Sequence, residues 1–199
     1  MKKGSKNILP ILFNTEMVRA ILEGRKTVTR RVVTPQPPAG VTQLYHGAAP
    51  GRWRSPGKDV WVEIRAPYQP GDILWVRETW QVKRGGGYMY KVDTVGSFDL
   101  YISPEGRVVN DIPWRPSIHM PREAARIFLR VTGVRVERLQ EIDDAGVVAE
   151  GLEIGCYFDE LWNSTIKPKD RPTYGWDANP WVWVINFERV GREEMERHG

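Results

Sequence analysis

The sequence has one cysteine and three histidines in 199 residues, and this scarcity removes several classes of protein. A single cysteine, Cys156, cannot form an intramolecular disulfide or a cysteine-based zinc site. The histidines stand at positions 46, 119 and 198, too widely separated for a paired-histidine metal motif. We therefore expect no structural disulfide, no bound metal and no cofactor.

Long apolar runs and common catalytic motifs are also missing. The longest strongly apolar stretch, WVWVINF, is far too short to cross a bilayer. The opening MKKGSKNILPILFNTE has an apolar run that is interrupted by Pro10 and lacks a small-residue cleavage site. No Walker loop, Gly-x-Ser-x-Gly elbow or His-Glu-x-x-His pattern occurs. These absences predict a soluble cytoplasmic protein that does not act on membranes.

What the sequence does have is an uneven distribution of charge. The net charge is +4, but residues 1–60 hold 11 Lys and Arg against 3 Asp and Glu. The rest of the chain is weakly acidic. A basic N-terminal part on an acidic body favours a partner that carries phosphate, such as RNA or a nucleotide.

Hydrophobic periodicity and turn residues predict a mainly β protein with a few short helices. ILPILF is typical of a first strand, and Asn14 or Thr15 would cap a helix that ends at Gly24. We expect further strands at TVTRRVV, at PGDILWVRETW with RGGGYMYKVD as a hairpin, at IFLRVTGVRVERL and at the apolar WVWVINFERV. Short helices are expected at DDAGVVAEG and from FDELW onward.

The segment 34–70 is expected to be an insertion. It holds seven prolines and four glycines, so it should be mostly loop, with one strand at VWVEIR. We expect the whole chain, residues 1–199, to be a single domain with this segment as a partly ordered lid. About seven strands with short helices favour a small β-barrel with helices packed on it.

The stretch EGRKTVTRR, residues 23–31, is the densest basic run. It is compatible with a solvated edge, a phosphate clamp formed by Arg25, Arg30 and Arg31, or a catalytic site. A lysine activates a hydroxyl only when it is largely deprotonated, and neighbouring arginines lower its pKa by repulsion. Lys26 and Thr29 stand three apart, so they converge only if Lys26 is outside the regular strand.

Two other regions supply candidate ligand contacts. Arg52, Trp53 and Arg54 interleave cations with an aromatic ring inside the insertion, a pattern typical of nucleic-acid surfaces. In WRPSIHMPRE, Ser117, His119 and Arg122 lie in a segment too polar and short to be core. His119 is either an ordinary loop histidine or one wall of a pocket. Trp75 or Trp80 is a candidate for stacking on a base.

Several stretches together resemble the ASCH family, whose domains are similar to PUA-like RNA-binding β-barrels. The order of these stretches is as diagnostic as their content: ILEGRKTVTRR, PGDILWVRETW, PSIHMPREAARIFLRVTGVRVERLQEI, AEG at 149–151 and GWDANPWVWVINFERV. They cover most of the chain outside the insertion. This longer, tryptophan-rich form is similar to versions carried by phages and prophages.

The resemblance implies a more definite role for the basic run. One bacterial branch of the family comprises small amidohydrolases that remove the acetyl group of N(4)-acetylcytidine with a Lys, a Thr and a Glu. Their Gly-Arg-Lys-Thr-x-Thr motif carries over to Lys26 and Thr29, and the glutamate to Glu150 of DDAGVVAEG. This chain is roughly twice as long as those enzymes, so a site is better supported than that particular substrate.

Three functions follow as hypotheses. The first is RNA, nucleotide or nucleoside binding in a basic cleft without catalysis. The second is hydrolysis of an acylated nucleoside by Lys26, Thr29 and Glu150. The third is a non-catalytic phage interaction protein that uses its insertion and exposed tryptophans.

Overall fold

The structure, a computed structural model, describes residues 7–38, 41, 45–46, 52–54, 61–94, 101–103, 105–109 and 112–197. The strands are β1 Ile8–Leu12, β2 Val28–Val32, β3 Tyr45–His46, β4 Arg52–Arg54, β5 Trp61–Glu63, β6 Ile73–Arg77, β7 Trp80–Val82, β8 Tyr88–Tyr90, β9 Tyr101–Ile102, β10 Val108–Val109, β11 Phe128–Arg138 and β12 Trp181–Val190. The helices are α1 Thr15–Leu22, α2 Asp144–Ala149, α3 Phe158–Thr165, α4 Arg171–Tyr174 and α5 Arg192–Glu196.

The chain is an α+β protein built on a mixed five-stranded sheet. The strand order is β1-β6-β11-β12-β2, in which β1 runs parallel to β6, β11 runs antiparallel to β6, and β12 runs antiparallel to β2. The predicted mix of many strands with short helices is confirmed. Within the described ranges the sheet ends at β1 and at β2, so the expected closure into a barrel is not seen there.

The residues fall into two compact units. The first unit comprises Met1–Gly24, Gly71–Arg130 and Glu188–Gly199, and the second comprises Arg25–Pro70 and Val131–Phe187. Each unit has its own hydrophobic cluster, described below.

In the first unit, helix α1 forms where the sequence predicts it. The side chain of Asn14 accepts a hydrogen bond from Met17 N at 2.8 Å, which satisfies one of the free amides at the helix start. Val18, Ala20 and Ile21 are buried, as the amphipathic spacing requires. Gly24 has φ +77°, the left-handed conformation that ends a helix at little cost only for glycine.

The core of the first unit collects residues from β6, β7, β11 and α5. It contains Ile73, Trp75, Trp80, Met120, Ala124, Ala125, Phe128 and Met195. Beside it, the guanidinium of Arg126 binds both carboxylate oxygens of Glu78, with Nε to Oε1 at 2.9 Å and Nη2 to Oε2 at 3.0 Å. Glu78 is 2% exposed, so its carboxylate is buried beside the core, whereas the side chain of Arg126 is 29% exposed.

The hairpin of the first unit differs from the expected one. We expected PGDILWVRETW to pair with RGGGYMYKVD, whereas it is β7, at the end of the former segment, that pairs with β8. Ile73, Leu74, Trp75 and Val76 of β6 are all buried, which is typical of a central strand, and β6 pairs with β1 and β11. Gly85, Gly86 and Gly87 have positive φ and form the hairpin turn, as predicted.

The second unit is centred on β12. Its Val182 and Val184 pack with Leu139, Phe158 and Trp162, and partly buried Val28 and Val32 of β2 complete the cluster. The register of β2 against β12 is antiparallel, with Val182 opposite Val32 and Asn186 opposite Val28. The prediction that WVWVINFERV lies inside the sheet is confirmed.

The insertion contains more regular structure than expected. The strand predicted at VWVEIR is present as β5, but it belongs to a three-stranded antiparallel sheet in which β4 pairs with both β3 and β5. Gln36 fastens the start of the insertion to β12. Its side-chain oxygen accepts from Trp181 N at 2.8 Å and its side-chain nitrogen donates to Trp181 O at 3.0 Å. One amide side chain therefore imitates a strand partner.

Among the described residues, no helix is both long and apolar enough to cross a membrane.

Candidate functional site

The basic run and the end of helix α2 are joined by backbone contacts in the second unit. Lys26 and Glu150 form an isolated antiparallel bridge, and Thr27 N donates to Ala149 O at 2.9 Å. Arg25 Nη1 donates to Gly151 O. Helix α2 ends at this point because Gly151 adopts φ +90°. The segment before β2 is thereby aligned, residue by residue, with the C-terminus of α2.

This alignment brings two of the three predicted catalytic residues into direct contact. Lys26 Nζ lies 2.5 Å from Glu150 Oε2 and 3.0 Å from the Glu150 carbonyl oxygen. The exposed fraction of the side chain is 0% for Lys26 and 6% for Glu150. The pair is therefore buried, and its charges are compensated by each other instead of by water.

Burial also changes the acidity of the lysine. Removal from water lowers the pKa of Lys26 below its ordinary value, and the positive charges of Arg31 and Arg30 act in the same direction. The charge of Glu150 and its hydrogen bond oppose this shift without cancelling it. Lys26 consequently loses its proton more readily than a surface lysine does.

Arg30 joins the pair from strand β2. Its Nη1 lies 3.3 Å from Glu150 Oε1, while its Nε and Nη2 donate to Glu137 Oε1 at 3.0 and 2.8 Å. Arg135 Nε donates to the other oxygen of Glu137 at 3.0 Å. Glu150 is thus held by a lysine on one carboxylate oxygen and by an arginine on the other.

Thr29 is buried in β2, on the opposite face of the strand from Arg30. In the register with β12, Arg30 lies opposite Val184 of the hydrophobic cluster, whereas Thr29 lies opposite Ile185. Successive side chains of a strand leave on opposite faces, so Thr29 and Arg31 share the other face. Lys26 precedes the strand, and β2 is the last strand of the sheet, so the lysine lies at a strand edge.

The Thr29 face also carries an aromatic neighbour for Arg31. Arg31 lies opposite Trp183 in the register, and it interacts electrostatically with Tyr68. Burial raises the pKa of the Tyr68 hydroxyl, and the charge of Arg31 partly offsets this. Burial also lowers the pKa of Arg31, while Tyr68 and Glu150 raise it. Tyr68 was not among the predicted site residues.

Four other predicted contacts belong to the first unit. Trp80 is buried in its core, with Arg115 lying over the ring at 5.3 Å. Trp75 is buried as well, which makes both tryptophans core residues. His119 is exposed and Ser117 is half-buried, both in one turn of 3-10 helix, and Arg122 Nη2 lies 3.6 Å from Met195 Sδ.

Arg52, Trp53 and Arg54 form strand β4, but their side chains lie outside the described part of the structure. Their proposed contact with nucleic acid stays a prediction.

Two residues beside the Lys26–Glu150 pair were not predicted from the sequence. Glu137 is the acidic residue of a strand whose other charged members are arginines, and this isolated acid was the available signal. Gly146 of α2 was missed because it leaves space for Arg30, which is more than a hundred residues away in the sequence. Over the described residues, no group of three or more His, Cys, Asp or Glu side chains is arranged to hold a metal ion.

Comparisons with known proteins place no family name on this arrangement. No family model matches the chain, and no curated protein matches it. A solved structure of an Enterococcus faecalis V583 protein, described by the family-model name DUF984, aligns with a TM-score of 0.43 at 12% identity. That alignment covers 96% of this chain and 80% of the other.

Proposed function

We propose that this chain is an ASCH-type amidohydrolase with a PUA-like fold, acting on an acylated nucleoside such as N(4)-acetylcytidine. The observation that carries the proposal is the contact between Lys26 Nζ and Glu150 Oε2 at 2.5 Å. Hydrolysis by Lys26, Thr29 and Glu150 requires that the lysine is hydrogen-bonded to the glutamate and loses its proton easily.

The state of Lys26 favours chemistry over phosphate binding. A lysine that binds phosphate presents a charged ammonium to the ligand as a point charge. Lys26 has no exposed side-chain surface, its charge is already matched by Glu150, and burial lowers its pKa. These are the properties of a base, which has to spend part of its time neutral.

In the proposed reaction, Thr29 Oγ attacks the acyl carbonyl carbon while Lys26 takes its proton. The bond from that carbon to the exocyclic nitrogen breaks, and the nitrogen leaves as an amine with the proton returned by Lys26. Water then cleaves the ester on Thr29 and releases the carboxylic acid. Glu150 orients Lys26 throughout. Lys26 precedes β2, so its side chain is not confined to the face of the strand that carries Arg30. In the proposed reaction it would act on the opposite face, which carries Thr29.

The test is product formation with N(4)-acetylcytidine as the nucleoside, as its monophosphate and within a short RNA. Acetate and the deacylated product should appear in equal amounts. Thr29→Val and Glu150→Gln should each lower kcat/KM by about 100-fold or more. Lys169→Ala, which changes an exposed lysine of the same unit, is the matched control. Absence of both products with all three substrates would contradict the proposal.

Binding of an anionic ligand without catalysis is the second candidate, favoured by the charges around the pair. Lys26 is accompanied by three guanidinium groups, Arg25, Arg30 and Arg31, and Glu137 and Glu150 are among the carboxylates that interact with this set. Binding of single-stranded RNA should then weaken steeply as salt rises. Affinity that is independent of ionic strength would contradict it.

A further inference from the structure

Arg30 makes its contacts inward. Its side chain is 2% exposed, and it donates three hydrogen bonds to carboxylates, two to Glu137 and one to Glu150. A ligand phosphate would have to replace those carboxylates to bind the guanidinium. The arrangement is therefore poorly suited to the phosphate-clamp role that the sequence suggests for this arginine.

Building on the proposed function, we propose that Arg30 is a positioning residue, which holds the Glu150 carboxylate against Lys26 and does not contact the ligand. Arg30 binds Oε1 of Glu150 and Lys26 binds Oε2, so the carboxylate cannot rotate without breaking one of the two contacts. Glu137 fixes Arg30 in turn with two hydrogen bonds. The orientation of Glu150 is thus set from β11 through β2.

Arg30 also contributes charge. It brings a positive charge to the same carboxylate that attracts the ammonium of Lys26, and it acts together with Arg31 to favour the neutral lysine. Without Arg30, the negative charge of Glu150 would act on Lys26 with less opposition. The lysine would then hold its proton to higher pH and serve less well as a base near neutrality.

The experiment measures Lys26 directly, without turnover. Lysine Nζ and Cε resonances are followed through a pH titration of the full-length protein, with Lys26→Arg used to assign the signal. Arg30→Gln, which keeps a side-chain N–H donor for Glu150 but loses the charge, should move the titration midpoint of Lys26 upward. Arg30→Lys, which keeps the charge but loses the planar fork that holds Glu150 against Lys26, should move the midpoint downward, because Glu150 then raises the pKa of Lys26 less. Arg135→Gln changes an exposed arginine that binds the same Glu137, and it should leave the midpoint in place.

A midpoint in Arg30→Gln equal to or below that of the wild type overturns the proposal. If Arg30→Gln does not fold, Arg30→Lys decides in its place, since a midpoint there equal to or above that of the wild type also overturns it. A pH–rate profile supplies the second readout, because the limb that reports the base should shift to higher pH in Arg30→Gln. Failure of the proposed hydrolysis would leave the titration result standing, so the two claims fail separately.

Discussion

A Cβ atom built on Gly146 of helix α2 would lie 2.9 Å from Nη2 of Arg30 in strand β2. The same atom would lie 2.9 Å from Ile142 Cγ1. Both distances are shorter than real contacts allow, and Arg30 cannot withdraw because Glu137 and Glu150 hold its guanidinium. Glycine is required here for space, since its φ is not in the left-handed region.

Gly146→Ala should therefore destabilise the protein although alanine is the better helix former. Overpacking of this kind lowers the free energy of unfolding by about 1–3 kcal/mol. The better helix propensity of alanine raises it by about 1 kcal/mol. We expect a net loss of about 1 kcal/mol in urea denaturation. Gly191→Ala, where nothing lies within 4 Å of the added atom, is the control and should stay within about 0.5 kcal/mol. Equal stability of both variants would remove the steric argument.

Removal of Glu150 should be costly because it leaves a buried lysine without its partner. Glu150→Ala is expected to lower the free energy of unfolding by about 3 kcal/mol. Replacement of both partners, as in Lys26→Met with Glu150→Leu, should recover most of that loss, since an apolar pair fills the space without an unpaired charge. Denaturation of the single and double variants checks this, and a double variant no more stable than Glu150→Ala would contradict the claim that the unpaired charge of Lys26 causes the loss.

Stability should also depend on pH through Lys26. In the unfolded chain this lysine has its ordinary pKa of 10.5, and in the folded chain burial lowers it. Between the two values the unfolded chain binds more protons, so the free energy of unfolding rises with pH across that window. The difference in that free energy between wild type and Lys26→Met, measured by denaturation from pH 7 to 10, should therefore increase. A flat or falling difference would place the folded pKa at or above the ordinary one.

The ion pairs of Arg126 and Arg130 in the first unit offer a contrast between a buried and an exposed carboxylate partner. Arg126→Ala would leave Glu78, which is 2% exposed, without the guanidinium that binds both its oxygens. We expect a loss of about 3 kcal/mol, typical of breaking a buried pair. Arg130→Ala removes contacts to Glu188 and Glu194, which are 50% and 22% exposed, and it should cost much less than Arg126→Ala. Similar losses in the two variants would contradict the role assigned to burial.

The parts of the fold that depend on neighbouring residues were predictable from sequence. Asn14 as helix cap, Gly24 as helix stop and the apolar strand β12 all follow from local chemistry, and all are confirmed. The glycine turn of the β7–β8 hairpin was predicted, but the first strand of the hairpin was placed on the segment that contains β6. Four consecutive buried residues in β6 indicate a central strand, and that signal outweighs the proximity in sequence that suggested a hairpin.

The candidate site likewise contains contacts that were expected and contacts that the sequence did not indicate. The pairing of Lys26 with Glu150 was anticipated only through the resemblance to a family, since no periodicity links residues so far apart. Glu137 was missed because its importance comes from the β11 strand placing it beside Arg30. Trp80 was expected near a ligand and is a core residue instead, since a large aromatic side chain gains more from burial than from exposure.

The most direct test of the central claim is the rate of acetate release from N(4)-acetylcytidine by the wild-type protein and by Lys26→Ala. The wild type should release acetate at a measurable rate, and removal of the Lys26 base should reduce kcat/KM by about 100-fold or more. Absence of turnover by the wild type, or equal turnover by the two proteins, would contradict it.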